Sequence, residues 1–296
     1  MQEPLLNLDS LKGVDIPDYM LDPDATLKDS EAQWRYNRPP DYSKTRKFFA
    51  ESETIMFLKF KSKHYNHPAG SLPELVENLI KNWEIEASFK TQLADWRTID
   101  TTNYTFAING LEPSNAEHML KVGTYNAIIT PCKYYDSKNS DFASSHKTFK
   151  RMMPTFAFEV VEVYSGPPVV TLKWRHYGEM KNDYVGWNDV GEKVTAKAHG
   201  GMIDIQGITI AHLNSKMQIT KLKTWFNSNE LFQQIDPDGA AIMVKPDELK
   251  AALDPSADFM QACPIMGNQT SSRSVDTIQG WSQAFTEVEI NGKRVG

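Results

Sequence analysis

Hydrophobic positions follow two different periods along the chain, and the period changes near Pro154. Before that proline, apolar residues recur every three or four positions, as in the run LVENLIKNW, and this spacing is typical of amphipathic helices. Ser71 followed by Glu74 makes a capping box that starts the first of them. The pattern predicts that residues 73–152 are mainly helical, with further helices over 113–129 and 142–152.

Beyond Pro154 the apolar residues alternate with polar ones, and β-branched and aromatic residues become frequent, which is the pattern of β-strands. The first strand is expected near Phe156. Four strands are predicted, over 156–166, 169–180, 201–214 and 217–227, with hairpin turns at 165–168 and 214–216 and a short helix after Asn227. Helices followed by an antiparallel meander predict an α+β fold in which a curved sheet carries helices on one face.

The two ends of the chain lie outside this pattern. Residues 1–70 are irregular but rich in aromatic residues (WRYNRPPDY, then KFFAE), so we expect an extended arm that packs on the body. Residues 71–235 form the body. Residues 236–296 are expected to be a partly irregular tail with a helix at 246–253, and the sequence leaves open whether it covers the body or swaps to a second subunit.

Composition excludes several classes of function. The 296 residues carry 32 Lys+Arg against 38 Asp+Glu with no basic block, which argues against nucleic-acid binding. No apolar run reaches the roughly 18–20 residues of a membrane span, and the first residues lack the features of a secretory signal. Cys132 and Cys263 are the only cysteines, as expected in a reducing compartment. We therefore expect a cytoplasmic protein that binds neither nucleic acid nor membrane.

Motifs for metals and cofactors are weak. His64 and His67 have a helical i, i+3 spacing, but they lie before a proline and have no third ligand nearby. The sequence has no glycine-rich phosphate loop between a strand and a helix and no nucleophile elbow. We expect neither a metal nor another cofactor.

Several runs of the body together resemble one known family. They are WRY…PPDY, SLPELVENLIKNWEIE, GTYNA, SSHKTFK, FEVVEVYSGPPVV, KWRHYGEM, ITIAHLN and NELF, and they extend over about residues 27–235. The chain resembles the plant pathogen-related proteins and their fungal relatives, in the SnoaL-like polyketide-cyclase group of the nuclear transport factor 2-like cone fold. The resemblance implies a curved antiparallel sheet around three helices and one apolar pocket. It also implies a fungal natural-product enzyme, a dehydratase, cyclase or isomerase that needs no metal or nucleotide.

Two regions depart from the family pattern. Phe226 and Asn227 stand where members usually have a tyrosine and an aspartate at the end of the last strand, so this chain lacks an acid/base group if that aspartate has the role in members. Residues 186–191 read GWNDVG where members have Gly-His-Ala-Pro-Thr-Gly, and the insertion TAKAHGGM follows. This remodelled rim predicts a substrate different from that of the plant members.

Strand parity selects the first catalytic candidate. In VVTLKWRHYGEM, Lys173 and Arg175 share one face, while Trp174 and His176 share the other, which we assign to the interior. A histidine in an apolar pocket is suited to general acid/base chemistry. A buried structural histidine with one satisfied hydrogen bond is the alternative.

Two further residues are catalytic candidates. His146 lies on the apolar side of its predicted helix, where it either lines the pocket or has a capping or structural role. Asp204 lies on an otherwise apolar strand face, so it is either functional or close to the sheet edge.

The remaining candidates are substrate-binding residues. Core packing is the alternative for Trp83 and Tyr125, and a helix N-cap is the alternative for Asn227. They are Trp83, Tyr125, Trp174, Trp187, Gln206, Trp225, Phe226 and Asn227.

These residues support three functions. The first is a cofactor-free enzyme that dehydrates, isomerises or cyclises a polyketide or terpenoid intermediate, including by a cycloaddition that needs mainly shape. The second is a non-catalytic or stress-related protein that carries a small apolar ligand in the same pocket. The third is an interaction module. The run FAFEVVEV is apolar on both faces, which predicts a homodimer or coverage by the arm.

Overall fold

The computed structural model of the chain describes residue 13 and residues 15–51 and 65–253. The chain divides into two units, Met1–Glu248 and Leu249–Gly296, and only residues 249–253 of the second are described. The first unit is an α+β body, as the sequence predicts, and its main sheet has six strands.

The described residues form eight α-helices, two of which lie in the arm. They are α1 (Asp18–Leu21), α2 (Ser43–Glu51), α3 (Leu72–Phe89), α4 (Ala116–Val122), α5 (Thr124–Ile128), α6 (Phe142–Met152), α7 (Ser228–Ile235) and α8 (Pro246–Leu253). The described part of the arm is therefore partly helical rather than extended throughout. Within the described ranges, no helix combines the length and the hydropathy needed to cross a bilayer.

Four long strands make up most of the main sheet. They are β3 (Ala157–Ser165), β4 (Val169–Glu179), β7 (Met202–Leu213) and β8 (Ile219–Phe226), and each pairs antiparallel with its neighbour in the order β8-β7-β4-β3. All four were expected from the alternating pattern, and both predicted hairpins join them as expected.

The prediction that strands begin near Phe156 is wrong. Strands β1 (Thr105–Ile108) and β2 (Ser114–Asn115) come earlier, and β1 pairs in parallel with β8 at one side of the sheet. Four residues are too few to show a clear alternation, and the partner strand lies far along the chain.

The predicted helix over 113–129 is also wrong as a single element. Helices α4 and α5 are separated by Gly123, whose φ of 93° lies in the left-handed region. A β-carbon at Gly123 would approach the Ser145 Oγ atom to 2.9 Å, so both the conformation and the space require glycine.

A second, three-stranded sheet contains two strands from the predicted rim and one from the predicted tail. It contains β5 (Tyr184–Trp187), β6 (Lys193–Ala196) and β9 (Ile242–Val244), with β6 in the centre. Because β9 follows residue 235, the first unit includes part of the predicted tail.

Helix α3 is the central helix of the body. Its Ser71 cap accepts a hydrogen bond from the Glu74 backbone, as the capping box predicts. The Asn82 side chain donates to the carbonyl oxygens of Tyr19 and Asp22 in the arm. On another side, the Glu77 carboxylate accepts from the Val160 backbone N–H at the edge of β3. The third side of α3 faces the interior of the body.

Candidate active site

The inner face of the main sheet and the helices above it enclose an apolar cavity. The volume of the cavity is about 110 Å³. Its apolar lining includes Ile80, Phe106, Met119, Ile128, Leu172, Ile205, Leu222 and Leu231. A concave apolar site with few polar groups is the usual architecture for binding a small molecule.

His176 lines this cavity from strand β4, on the side that parity assigns to the interior. Its ring stacks on Phe156 with 3.5 Å between ring centroids and meets Phe158 edge-on. The buried Nε2 atom has no hydrogen-bond partner among the described residues. Burial, followed by the charge of Lys150, holds the pKa of His176 well below its usual value, so the imidazole is neutral at pH 7.

Glu84 is the second titratable group in the cavity wall, and the sequence analysis missed it. It comes from helix α3, and its Oε1 atom is buried and accepts no hydrogen bond within the part of the chain that is described. The nearest cation is the Lys150 ammonium group, 3.7 Å from Oε1. A sequence signal exists, because Glu84 follows Ile80 by four residues and so continues the apolar stripe of the helix.

The predicted aromatic wall is assembled around these two groups. Trp83, Tyr125, Trp174 and Phe226 all line the cavity. The Tyr125 ring stacks on Phe149, and burial raises its pKa well above the usual value, so its phenol is a neutral donor.

The floor of the cavity is fixed by hydrogen bonds across three strands. The Trp174 Nε1 group donates to Thr209 Oγ1 at 2.9 Å, and the Thr209 and Thr224 hydroxyl groups are 2.7 Å apart. Gly207 gives the indole its space, since a β-carbon there would lie 2.3 Å from the Trp174 ring. The floor is therefore rigid, and its polar atoms are bonded to one another.

Three predicted site residues lie on the opposite face of the sheet. Asp204 does not line the cavity, and its Oδ2 atom accepts a 2.7 Å hydrogen bond from Arg175 Nε. Gln206 is exposed on the same face, and Trp225 is 40% exposed there. The assignment of these residues to the pocket is corrected, because their strand positions point away from it.

The last three predicted residues are also placed outside the cavity. His146 lines a separate outer cleft between the arm and α6, and its ring contacts Phe89 edge-on at 4.7 Å. Trp187 lies in the second sheet. Asn227 is the N-cap of α7 and accepts from the Asn229 backbone, so its structural alternative is the one observed.

The histidine pair considered for a metal is only half described, since His64 lies outside the described residues. His67 Nε2 is 2.7 Å from the Val160 carbonyl oxygen at the edge of β3. In the ranges that the structure describes, no group of three or more potential ligand side chains is placed to hold a metal ion.

Comparison with known proteins agrees with the sequence resemblance to pathogen-related proteins. No family model matches the chain. A pathogen-related protein of Hordeum vulgare is 29% identical over 201 residues, which are 65% of this chain and 77% of the relative. The chain is similar to a pathogen-related protein.

Two solved structures illustrate the structural comparison. A proposed SnoaL-like polyketide cyclase from Jannaschia sp. CCS1 has a TM-score of 0.32 and 13% identity, over 54% of this chain and 88% of that one. A protein with a ketosteroid isomerase-like fold from Catenulispora acidiphila has a TM-score of 0.31 and 9% identity, over 53% and 90%.

Proposed function

We propose that the protein is a cofactor-free enzyme that moves protons on a polyketide or terpenoid intermediate and thereby dehydrates, isomerises or cyclises it. The observation that carries this proposal is the cavity itself. Its wall is largely apolar, and four of its lining residues, Glu84, His176, Tyr125 and Trp83, each present a buried polar atom that forms no hydrogen bond within the described chain. Polar substrate atoms that reach these groups would provide the missing partners.

Three of these groups suit complementary roles. The carboxylate of Glu84 can accept a proton from a carbon next to a carbonyl group. The Nε2 atom of the neutral His176 imidazole can accept the proton of a substrate hydroxyl group, because the single N–H of the ring is directed to the Phe156 carbonyl oxygen. The neutral Tyr125 phenol can donate a hydrogen bond to the oxygen on which negative charge develops. Returning the proton to another carbon isomerises the substrate, and transferring a proton to a departing hydroxyl group releases water. In a largely apolar cavity these charges interact more strongly than in water.

The lining limits the substrate. A small or polycyclic apolar molecule with at least one oxygen fits the observed distribution of polar atoms, since the floor hydroxyl groups are already bonded to one another. Molecules with several charges would lose hydration without gaining partners.

A proton-transfer probe tests the proposal without the natural substrate. We expect the wild-type protein to accelerate deuterium exchange at the α-carbon of α-tetralone in D₂O, followed by NMR. His176→Ala and Glu84→Gln should each reduce the rate roughly 10²–10⁴-fold, the usual contribution of general acid–base catalysis. His212→Ala should change it little, because His212 lies outside the cavity. His176→Gln should retain much of the rate if the imidazole only orients the substrate.

The carrier alternative predicts a different result. A non-catalytic binder would take up α-tetralone and gain thermal stability, but exchange would proceed at the uncatalysed rate. That outcome would overturn the enzyme proposal.

A further inference from the structure

Lys150 lies behind the cavity wall rather than in it. It belongs to the last turn of helix α6, and its side chain is 18% exposed on the outer cleft that His146 and Tyr42 also line. It is not among the cavity-lining residues. A substrate in the cavity would therefore not touch it.

Its ammonium group nevertheless contacts both walls that carry the titratable groups. Lys150 Nζ donates a 2.9 Å hydrogen bond to the carbonyl oxygen of Phe156, the residue whose ring stacks on His176. The same atom lies 3.7 Å from Glu84 Oε1. One cation thus connects helix α3 to the segment that supports the imidazole.

We propose that Lys150 is the positioning residue of the cavity, whose ammonium group holds the Glu84 carboxylate and the backbone of Phe156 in fixed places relative to His176. The catalytic meaning of this role rests on the proposed function. The geometric role is independent of the proposed function, because Lys150 contacts Glu84 and Phe156 without a substrate.

Several titratable groups face Lys150, so its positive charge acts on all of them. The groups that face it are Glu84 on α3, Tyr42 and Arg46 from the arm, and His146 and His176. Burial lowers the pKa of Lys150, and the Glu84 carboxylate opposes that effect. In turn, the Lys150 charge is second only to burial in lowering the pKa of both histidines.

Histidine NMR titration tests this role in the full-length chain. In Lys150→Met we expect the His176 resonances to titrate at a higher pH than in the wild type, by roughly one unit, the effect of one nearby charge. Lys150→Arg keeps the charge and should preserve the wild-type titration. Lys147→Met is the matched control, since Lys147 is exposed on the same helix and should leave His176 unchanged.

Kinetics of the α-tetralone exchange separate positioning from binding. Lys150→Met should lower kcat at least 10-fold with little change in KM, because Lys150 does not contact the substrate, and Lys150→Arg should restore most of kcat. If Lys150→Met does not fold, Lys150→Gln takes its place, with circular dichroism as the check.

The outcomes distinguish the two proposals. A shifted His176 titration without any wild-type exchange activity would support the role of Lys150 and overturn the proposed enzyme. Normal exchange and an unchanged His176 titration in the charge-removing variant would overturn the role of Lys150 and leave the enzyme proposal intact.

Discussion

Two histidines of the body, His146 and His176, are buried in surroundings that disfavour their charged forms. The pKa of each is lowered well below 6.5, mainly by burial. Above about pH 6.5 the folded and unfolded chains both hold them neutral. As the pH falls below that value, the unfolded chain binds protons first, so the folded state loses stability.

We therefore expect the free energy of unfolding to fall by about 1.4 kcal/mol per pH unit for each of these histidines below about pH 6.5. Urea unfolding between about pH 7.5 and 5.5 measures this slope. His176→Phe should reduce the slope by the contribution of one histidine, and His212→Phe should leave the slope unchanged. An identical slope in the wild type and His176→Phe would show that folding does not lower the pKa of His176.

Gly207 has a spatial role that no other residue can fill. A β-carbon there would overlap the Trp174 ring, so we expect Gly207→Ala to destabilise the protein by about 1–3 kcal/mol and to weaken ligand binding. Val190→Ala is the control, because the Val190 side chain is 71% exposed and lies outside the cavity. Equal thermal stability of the two variants would contradict the role of Gly207.

At the scale of elements, Asn82 joins the arm to helix α3. Its buried amide donates to the carbonyl oxygens of Tyr19 and Asp22 and accepts from the backbone and hydroxyl groups of Thr26. Asn82→Ala leaves these buried groups without partners, and we expect a loss of about 1–3 kcal/mol. Limited proteolysis should then cut the arm sooner than in the wild type, while the exposed Asn103→Ala control should behave normally. Unchanged protease resistance would contradict this link.

The same elements show how far sequence reasoning reaches. The period of a strand is two, so the alternation in VVTLKWRHYGEM placed Trp174 and His176 on one face without any tertiary information. Helix α6 and the four long strands are similarly strong local signals. Strand β1 was missed because its partner β8 is distant in sequence, and pairing between distant segments leaves no local pattern.

Asp204 and Glu84 show why the site was harder to predict than the fold. Strand β7 has apolar residues on both faces, so parity alone could not say which face is inner. The register settles it, because His176 pairs with Ile205, and directly opposed residues share a face. Glu84 was hidden for a related reason: α3 is buried on several sides, so polar residues occur all around it.

At the scale of the whole molecule, the outer face of the main sheet is only partly covered. Arg175 and Tyr177 are buried at one side. Ile208 and Trp225 lie directly opposite each other on β7 and β8, and they are 44% and 40% exposed. An exposed apolar pair in the middle of a sheet is typical of a protein interface.

We propose that a second copy of the chain covers this face, related by a two-fold axis, since symmetric dimers are the commonest assemblies of soluble proteins. Light scattering at micromolar concentration should give twice the chain mass of 33.6 kDa. The double variant Ile208→Lys with Trp225→Lys should be a folded monomer, because charges cannot be buried there without partners. Val190→Lys, at a 71% exposed position away from the main sheet, should remain dimeric. A monomeric wild type would rule the dimer out, and a dimeric double variant would move the interface elsewhere on the molecule.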